Sequence, residues 1–261
     1  YDYSIDPNGN DTANKVLRFV GNDLRVLELG TAAGVMTREL QRQGCRVTGV
    51  EIVPEMASVA EQWCERMIIA NLDELDFTQA IGDEAFDCVV AADVLEHLRE
   101  PHKILERLRT TNASRLVLSV PNVTYAGLVG ALGQGEFEYR EKGLLDRTHL
   151  RFFSRKSIEW LLLRAGWLPK RWEAQQVPVH RSEFFSDWLA LDEAQRGYLL
   201  ARPDAEVYQF IVEAVPAGDM QQIERTWVEV EAMRAELEAE RRHSKEREAL
   251  YERDLASLKE H

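Results

Sequence analysis

The sequence is poor in cysteine, and its three cysteines do not form a recognisable pair. They lie far apart, at positions 45, 64 and 88, and no C-x-x-C motif is present. We therefore predict neither a disulfide framework nor a resident metal site. Cys45 and Cys88 fall in apolar runs typical of buried free thiols, which indicates a reducing compartment and a cytoplasmic location.

Long apolar runs and clusters of basic residues are also missing. No apolar stretch reaches the roughly 20 residues that a membrane-spanning helix needs, so no transmembrane segment is predicted. The net charge is -13, and lysine and arginine form no run outside the C-terminal tail. Because nucleic-acid binding requires a basic face, we predict no nucleic-acid partner.

The sequence does contain a regular alternation of short apolar runs and helical stretches. Strands that are apolar on both faces and separated by helices are typical of a parallel sheet covered on both sides, so the predicted class is α/β with a doubly wound sheet. A loop at 122–151 and an insertion at 182–204 are where we expect ligand specificity to reside. Ser154 is the predicted cap of the helix after the loop. Strands are predicted at 25–30, 45–50, 67–70, 86–92, 115–120, 168–177 and 207–215.

The composition changes after residue 218. Residues 220–259 contain neither glycine nor proline. A seven-residue spacing joins Ile223, Val230, Leu237, Ser244, Tyr251 and Leu258. This imperfect heptad pattern predicts a long helix, which either stays solvated or forms a coiled coil with a second copy or a tethered partner. We therefore divide the chain into a domain of residues 1–217 and a C-terminal helical segment of residues 218–261.

A turn with two glycines follows the first predicted strand. Residues 26–34 read V-L-E-L-G-T-A-A-G and lead into a helix. Small residues at such a turn let the backbone approach a ligand and expose amides at the helix N-terminus. Open α/β sheets bind ligands at this edge, where the strand order switches. Glu28, at the end of the strand, could accept a hydrogen bond there or pair with a cation.

An acidic residue follows the second predicted strand. Glu51 lies about twenty residues beyond the glycine turn, where its carboxylate could accept hydrogen bonds from both hydroxyls of a ribose. Asn71, after the third strand, could present its amide to an adenine edge. These positions suit an adenosine cofactor, whereas the G-x-G-x-x-G spacing of a nicotinamide dinucleotide site is missing.

These residues resemble a known family. The run 26–34, Glu51 and the run 86–98, F-D-C-V-V-A-A-D-V-L-E-H-L, resemble the class I S-adenosylmethionine-dependent methyltransferases over about residues 1–217. The run 143–154, G-L-L-D-R-T-H-L-R-F-F-S, resembles a bacterial subgroup that methylates oxygen atoms of small molecules and cell-surface glycans. The resemblance implies a Rossmann-like sheet of seven strands, mostly parallel, with an antiparallel last strand.

The resemblance also implies S-adenosylmethionine as cofactor and assigns residues to its parts. The residues near the methionine moiety would be Glu28, Gly30, Thr31 and Gly34. Glu51 would bind the ribose, and Asp93 would lie beside the sulfonium. The residues around the adenine would be Ile52, Asn71 and Leu72.

Two positions depart from the family pattern. Ala32 replaces the middle glycine of G-x-G-x-G, which is tolerable if its φ is negative. Asn71 replaces the common aspartate, so it keeps a hydrogen-bond acceptor and loses the charge. Each departure could weaken cofactor binding, and neither abolishes it on physical grounds.

The acceptor side is predicted from the loop before Ser154. If the acceptor is a hydroxyl, a general base must take its proton, and His149 is the first candidate, with Asp146 orienting its ring or sharing the base role. Asp93 is the third predicted catalytic residue. Arg147 and Tyr125 are predicted to contact the acceptor, together with His149.

Other roles for the histidines stay open. His149 could be a structural histidine that pins the loop to the sheet, and His97 is the rival base. We interpret Glu96 and His97 as structural. Asp93, His97 and His149 could converge in space on a metal ion, although the sequence spacing indicates none.

Three functions follow from these patterns. The first is an O-methyltransferase acting on a sugar or glycan hydroxyl, as in the synthesis of bacterial surface polysaccharide. The second is a quinone, phenolic or other small-molecule O-methyltransferase, which would use the same cofactor pocket. The third is a coiled-coil scaffold that binds the cofactor without turnover.

Overall fold

The computed structural model describes residues 5–6, 9–218 and 232 of the chain. Contacts divide the chain into two units, Tyr1–Ala217 and Gly218–His261. The first unit contains the whole described sheet. Nearly all of the second unit, with its predicted long helix or coiled coil, lies outside the described residues, so that helix stays a prediction.

A seven-stranded sheet forms the centre of the first unit. Its order is β3-β2-β1-β4-β5-β7-β6; the first five strands run parallel, and β7 is antiparallel to both β5 and β6. This confirms the predicted α/β class, the mostly parallel seven-stranded sheet and the antiparallel last strand. The strands are β1 (Arg25–Leu29), β2 (Arg46–Glu51), β3 (Arg66–Ile69), β4 (Cys88–Ala92), β5 (Leu116–Pro121), β6 (Trp167–Gln176) and β7 (Val207–Pro216).

Helices cover both faces of the sheet. The α7 helix begins at a capping box in which Ser154 accepts from the backbone amide of Ser157, as the cap prediction required. The helices are α1 (Thr12–Val20), α2 (Val35–Arg42), α3 (Pro54–Ala60), α4 (Phe77–Ile81), α5 (Pro101–Leu108), α6 (Ala126–Gly133), α7 (Arg155–Arg164), α8 (Phe185–Leu189) and α9 (Glu193–Leu200). None of the described helices is both long enough and apolar enough to cross a membrane.

Two hydrophobic cores lie on opposite faces of the sheet, because neighbouring residues of a strand point to opposite sides. Leu27 belongs to one core and Val26 to the other, and both side chains are fully buried. The Trp167 indole donates a hydrogen bond to the carbonyl of Leu105 at 2.8 Å, which joins β6 to α5 in the first core. These cores fix the strand ends on which the candidate site stands.

A third apolar cluster is built by the two segments that interrupt the strand pattern. Residues of the 122–151 loop, such as Leu128 and Leu144, pack against Phe184 and Trp188 of the insertion. The predicted loop therefore contains a helix, α6, and the insertion contains α8 and α9. The third cluster holds the loop that carries the predicted acceptor residues.

Candidate active site

The carboxyl ends of β1, β2 and β4 meet where the strand order reverses, and the glycine turn lies at this point. Gly30, Ala32 and Gly34 have φ angles of 68°, 45° and 77°, all in the left-handed region. The Gly30 amide donates to the Val50 carbonyl at 2.8 Å, which ties the turn to β2. The condition of a negative φ at Ala32 is therefore not met, and its left-handed backbone costs about 1 kcal/mol.

Gly34 and Thr31 serve the packing of the turn. A Cβ added at Gly34 would lie 2.8 Å from both Ala60 and the Trp63 ring. The small residue is therefore required for the start of α2 to pack against α3, and the position of Gly34 near the methionine moiety stays a prediction. The buried Thr31 side chain packs on Gly49 of β2, so any contact of Thr31 with a cofactor would come from its backbone.

Glu51 closes the turn from the end of β2. One carboxylate oxygen accepts from the amide of Ala32 at 2.8 Å, and the other accepts from those of Ile52 and Val53 at 2.9 Å. An ionised carboxylate offers about four acceptor positions, so three of them are used by the backbone. To receive both hydroxyls of a ribose, Glu51 must share or release one of these amides.

Glu28 is a buried carboxyl beneath the turn. Its side chain is 3% exposed, and Oε2 has no hydrogen-bond partner among the described residues. Burial raises the pKa of Glu28 to about 8, and the nearby charge of Glu51 acts in the same direction. A cation placed beside Glu28 would restore its charged form.

The predicted adenine residues lie next to Glu51 at the ends of β2 and β3. Ile52 is 56% exposed, an unusual state for isoleucine that leaves an apolar surface free to cover a flat base. Leu72 is buried and can supply only an edge of that surface. Asn71 uses its side-chain oxygen to accept from the Asp73 amide at 3.0 Å, so its NH₂ group is the one left for a ligand.

Asp93 follows β4 with a left-handed φ of 54°. Its carboxylate accepts from the Ser119 hydroxyl at 2.7 Å and from the Gln209 side-chain amide at 3.0 Å. The residue is exposed at the strand ends, as a role beside the reacting group requires. Ser119 and Gln209 escaped the sequence analysis because they lie on β5 and β7, far from Asp93 in the chain.

His97 and His149 meet although 52 positions separate them in the sequence. Their ring centroids are 4.9 Å apart with an interplanar angle of 71°. The Nδ1 atom of His149 lies 3.1 Å from the Leu144 carbonyl, and that of His97 lies 3.2 Å from the Thr148 carbonyl. A carbonyl can only accept, so both Nδ1 atoms carry the proton and both Nε2 atoms offer a lone pair. Burial lowers the pKa of His149, which keeps it neutral.

Asp146 does not orient the His149 ring. Its carboxylate accepts from the amide and the hydroxyl of Thr148, at 2.8 and 2.6 Å, and so stabilises the local turn. Although burial acts to raise it, the pKa of Asp146 is lowered by these hydrogen bonds and by the nearby histidines. The predicted orienting role belongs to the Leu144 carbonyl instead, since this is the group that faces Nδ1.

The two predicted acceptor contacts differ in their surroundings. Arg147 lies on the surface, where it forms an ion pair with Glu141 at 2.6 Å. Tyr125 is fully buried, and its hydroxyl donates to the Val177 carbonyl at 2.8 Å. Tyr125 is therefore a core residue of the third cluster, and we withdraw it from the acceptor site.

Glu96 completes the surroundings of the two histidines. Its side chain is 1% exposed, and neither carboxylate oxygen has a partner among the described residues. Burial raises the pKa of Glu96 well above its ordinary value. Ligand atoms of Glu96, His97 and His149 all lie within 4.8 Å of one another. The convergence that the sequence suggested thus involves Glu96, whereas Asp93 binds Ser119 and Gln209.

Comparisons with known proteins agree with this geometry. The family model described as "Methyltransferase domain" matches residues 9–168. The ubiquinone biosynthesis O-methyltransferase of Xylella fastidiosa is 30% identical over 128 residues, which cover 44% of this chain and 49% of that protein. The chain thus spans about half the length of this curated relative.

Solved structures show the same fold. The magnesium protoporphyrin IX methyltransferase of Synechocystis PCC 6803, solved with S-adenosylhomocysteine (SAH) bound, has a TM-score of 0.53 at 19% identity, covering 79% of this chain and 82% of that one. A putative methyltransferase of Bacillus halodurans has a TM-score of 0.56 at 13% identity, covering 79% and 99%. Because the family model matches more than half of the chain, the chain belongs to the methyltransferase-domain family. Its sheet is that of the class I S-adenosylmethionine-dependent methyltransferases, as the resemblance implied.

Proposed function

We propose that the chain binds S-adenosylmethionine at the ends of β1, β2 and β4 and transfers its methyl group to an oxygen of a small hydroxylated acceptor. The observation that carries the proposal is the pair of buried carboxyls, Glu28 and Glu51, set around a left-handed turn at the switch point of the sheet. This arrangement offers negative charge and hydrogen-bond acceptors where parallel α/β sheets bind nucleosides.

The chemistry of the cofactor suits these residues. S-adenosylmethionine carries a sulfonium and an ammonium. Glu28 is a buried carboxyl whose Oε2 has no hydrogen-bond partner among the described residues, so a nearby cation would stabilise its charged form. Its ribose hydroxyls need acceptors such as Glu51, and its adenine needs an apolar surface such as Ile52. The polar, apolar and charged parts of the site therefore match the corresponding parts of the cofactor.

The cofactor supplies an electrophilic methyl group, so the protein has to align the acceptor oxygen and remove its proton. The Nε2 atom of His149 is a suitable proton acceptor, because the Leu144 carbonyl accepts from Nδ1 and burial keeps the ring neutral. His97 offers a second Nε2 on a ring whose centroid lies 4.9 Å from that of His149. The proton of the acceptor hydroxyl would pass to one of these two nitrogens.

For the acceptor class, a phenolic or quinol ring is favoured over a sugar. The curated relative from Xylella fastidiosa acts in ubiquinone biosynthesis by its name. The ring of Phe152, which is exposed, lies 6.4 Å from that of His149 and gives a flat acceptor an aromatic neighbour. The glycan acceptor expected from the run 143–154 remains the alternative.

Calorimetric titration with S-adenosylmethionine and its demethylated product tests the cofactor site. Glu51→Gln should weaken binding of both by at least tenfold, because the ribose loses a charged acceptor. Glu55→Gln, which changes an exposed glutamate four residues away, is the matched control and should bind as the wild type does. Equal affinities for the two variants would refute the assignment of Glu51.

Transfer of a labelled methyl group tests the acceptor. We expect product with catechol-type phenols or quinols, and none with sugars or sugar nucleotides. His149→Ala should lower turnover by about a hundredfold with little change in cofactor affinity, whereas His180→Ala, on the surface, should not. Product with sugars alone would support the glycan alternative, and cofactor binding without any product would support the scaffold.

A further inference from the structure

The Glu96 carboxyl occupies an unfavourable environment that the cofactor site does not explain. It lies in the short 3-10 turn Leu95–His97 after β4, almost completely buried, with both oxygens unpartnered among the described residues. Buried carboxyls are normally hydrogen-bonded or paired with a cation. The described residues supply no cationic side chain at these oxygens, so a group outside the described residues has to satisfy them.

The two histidines beside Glu96 are oriented as metal-binding histidines usually are. In metal sites, the imidazole nitrogen that does not bind the metal donates to a backbone carbonyl or a carboxylate, which fixes the ring and its tautomer. His97 and His149 both do this, with the carbonyls of Thr148 and Leu144 as acceptors. Their Nε2 atoms are therefore fixed as ligands in the absence of any metal.

We propose that Glu96, His97 and His149 bind one divalent transition-metal ion, with Zn²⁺ as the best fit. Two imidazole nitrogens and one carboxylate oxygen are the ligand types that Zn²⁺ prefers, and three protein ligands leave one coordination position open. One nitrogen of each imidazole and one oxygen of Glu96 lie within 4.8 Å of one another. Tetrahedral bonds of about 2.0–2.2 Å would bring them to roughly 3.4 Å, so metal binding shortens the separations by at most about 1.4 Å.

The backbone around the cluster supports such a closure. The Glu96 carbonyl accepts from the amides of Leu150 and Arg151, at 2.7 and 3.0 Å, so the turn after β4 and the loop after Asp146 already form one unit. A metal would add three bonds across the same junction. It would also commit the Nε2 atom of His149 to the metal, so the base role proposed above would apply only to the metal-free protein.

Metal analysis of the full chain tests the proposal. Protein treated with a chelator, desalted and equilibrated with Zn²⁺ should retain about one ion more than the Glu96→Gln and His97→Ala variants retain. His102→Ala, an exposed histidine on α5, is the matched control and should keep the wild-type stoichiometry. Co²⁺ in place of Zn²⁺ should give the visible absorption of a tetrahedral site in the wild type and in the control, and not in Glu96→Gln.

Two outcomes would overturn the metal site. The first is that the wild type and Glu96→Gln retain equal amounts of Zn²⁺. The second is that a low concentration of competing chelator removes the Zn²⁺ from the wild type as readily as from the variants. Binding of the demethylated cofactor is measured on the same samples and reports whether each variant is folded. Loss of Zn²⁺ with intact cofactor binding confirms the metal site, whereas failure of the cofactor to bind the wild type refutes the proposed function without affecting the metal result.

Discussion

Glu28→Gln is the most direct test of the buried carboxyl beneath the glycine turn. The pKa of Glu28 is raised from 4.5 to about 8 by burial. In the folded protein the carboxyl therefore keeps its proton up to about pH 8, while in the unfolded chain it releases the proton near pH 4.5. The stability that this protonation contributes is fully present below the unfolded pKa and is lost as the pH rises through the folded pKa.

The magnitude follows from one proton. Each pH unit between the two pKa values changes the free energy of unfolding by about 1.4 kcal/mol, so the whole window amounts to about 5 kcal/mol. Between about pH 5.5 and 7.5, the free energy of unfolding of the wild type should fall by about 2.7 kcal/mol relative to that of Glu28→Gln, whose amide does not titrate. Comparing the two proteins cancels the titration of every other group.

Urea unfolding of both proteins at about pH 5.5, 6.5 and 7.5, without cofactor, measures this difference. The difference in unfolding free energy should change linearly with pH, in favour of the variant at the higher pH. At neutral pH the variant should be the more stable protein and should bind S-adenosylmethionine more weakly, because it cannot supply a negative charge. Parallel pH profiles for the two proteins would show that Glu28 is ionised in the folded state and would refute the reasoning.

Three further predictions concern backbone and packing, and urea unfolding checks each. Gly34→Ala should lower the free energy of unfolding by about 3 kcal/mol, because the new Cβ adds left-handed strain and meets Trp63. Gly135→Ala, at a position with φ of 86° and open space, should lower it by only about 1 kcal/mol. Equal losses would contradict the packing role of Gly34. Ala32→Val should cost about 2 kcal/mol and Ala32→Gly nearly nothing, and the reverse order would contradict the left-handed φ. Trp167→Phe should cost about 3 kcal/mol because the Leu105 carbonyl loses its buried donor, and a loss below about 1 kcal/mol would count against it.

The sheet could be predicted because the sequence signals of its strands and of the glycine turn each lie within a short stretch of the chain. Continuous apolar runs and the glycine turn are visible in the sequence, and each run pairs in the order that the switch-point rule expects. The Ser154 cap is equally local, since the side chain and the amide that it accepts from are three residues apart. The α6 helix was missed because A-G-L-V-G-A-L-G contains three glycines and is apolar on every side, so it shows no helical periodicity.

The errors at the site come from groups that the sequence brings together only in three dimensions. Asp146 was assigned to His149 because the two are close in the chain, yet the carbonyl of Leu144 reaches the ring. The predicted acceptor contact of Tyr125 is wrong because its ring is fully buried in the third cluster, which only tertiary packing shows. Glu96 is buried where the amides of Leu150 and Arg151 donate to its carbonyl, and no local sequence pattern reports this contact.

The hydrogen bonds from Leu150 and Arg151 to the Glu96 carbonyl have a consequence for how the enzyme could diversify. They join residues of the 143–154 run to the strand end that presents Asp93, so lengthening or replacing that run would disturb the methyl-transfer edge itself. The insertion that contains α8 and α9 carries no such attachment to β4 among the described contacts. New acceptor preferences should therefore be acquired by exchanging exposed residues of the insertion, such as Tyr198, while Phe184, Trp188 and residues 143–154 are inherited unchanged.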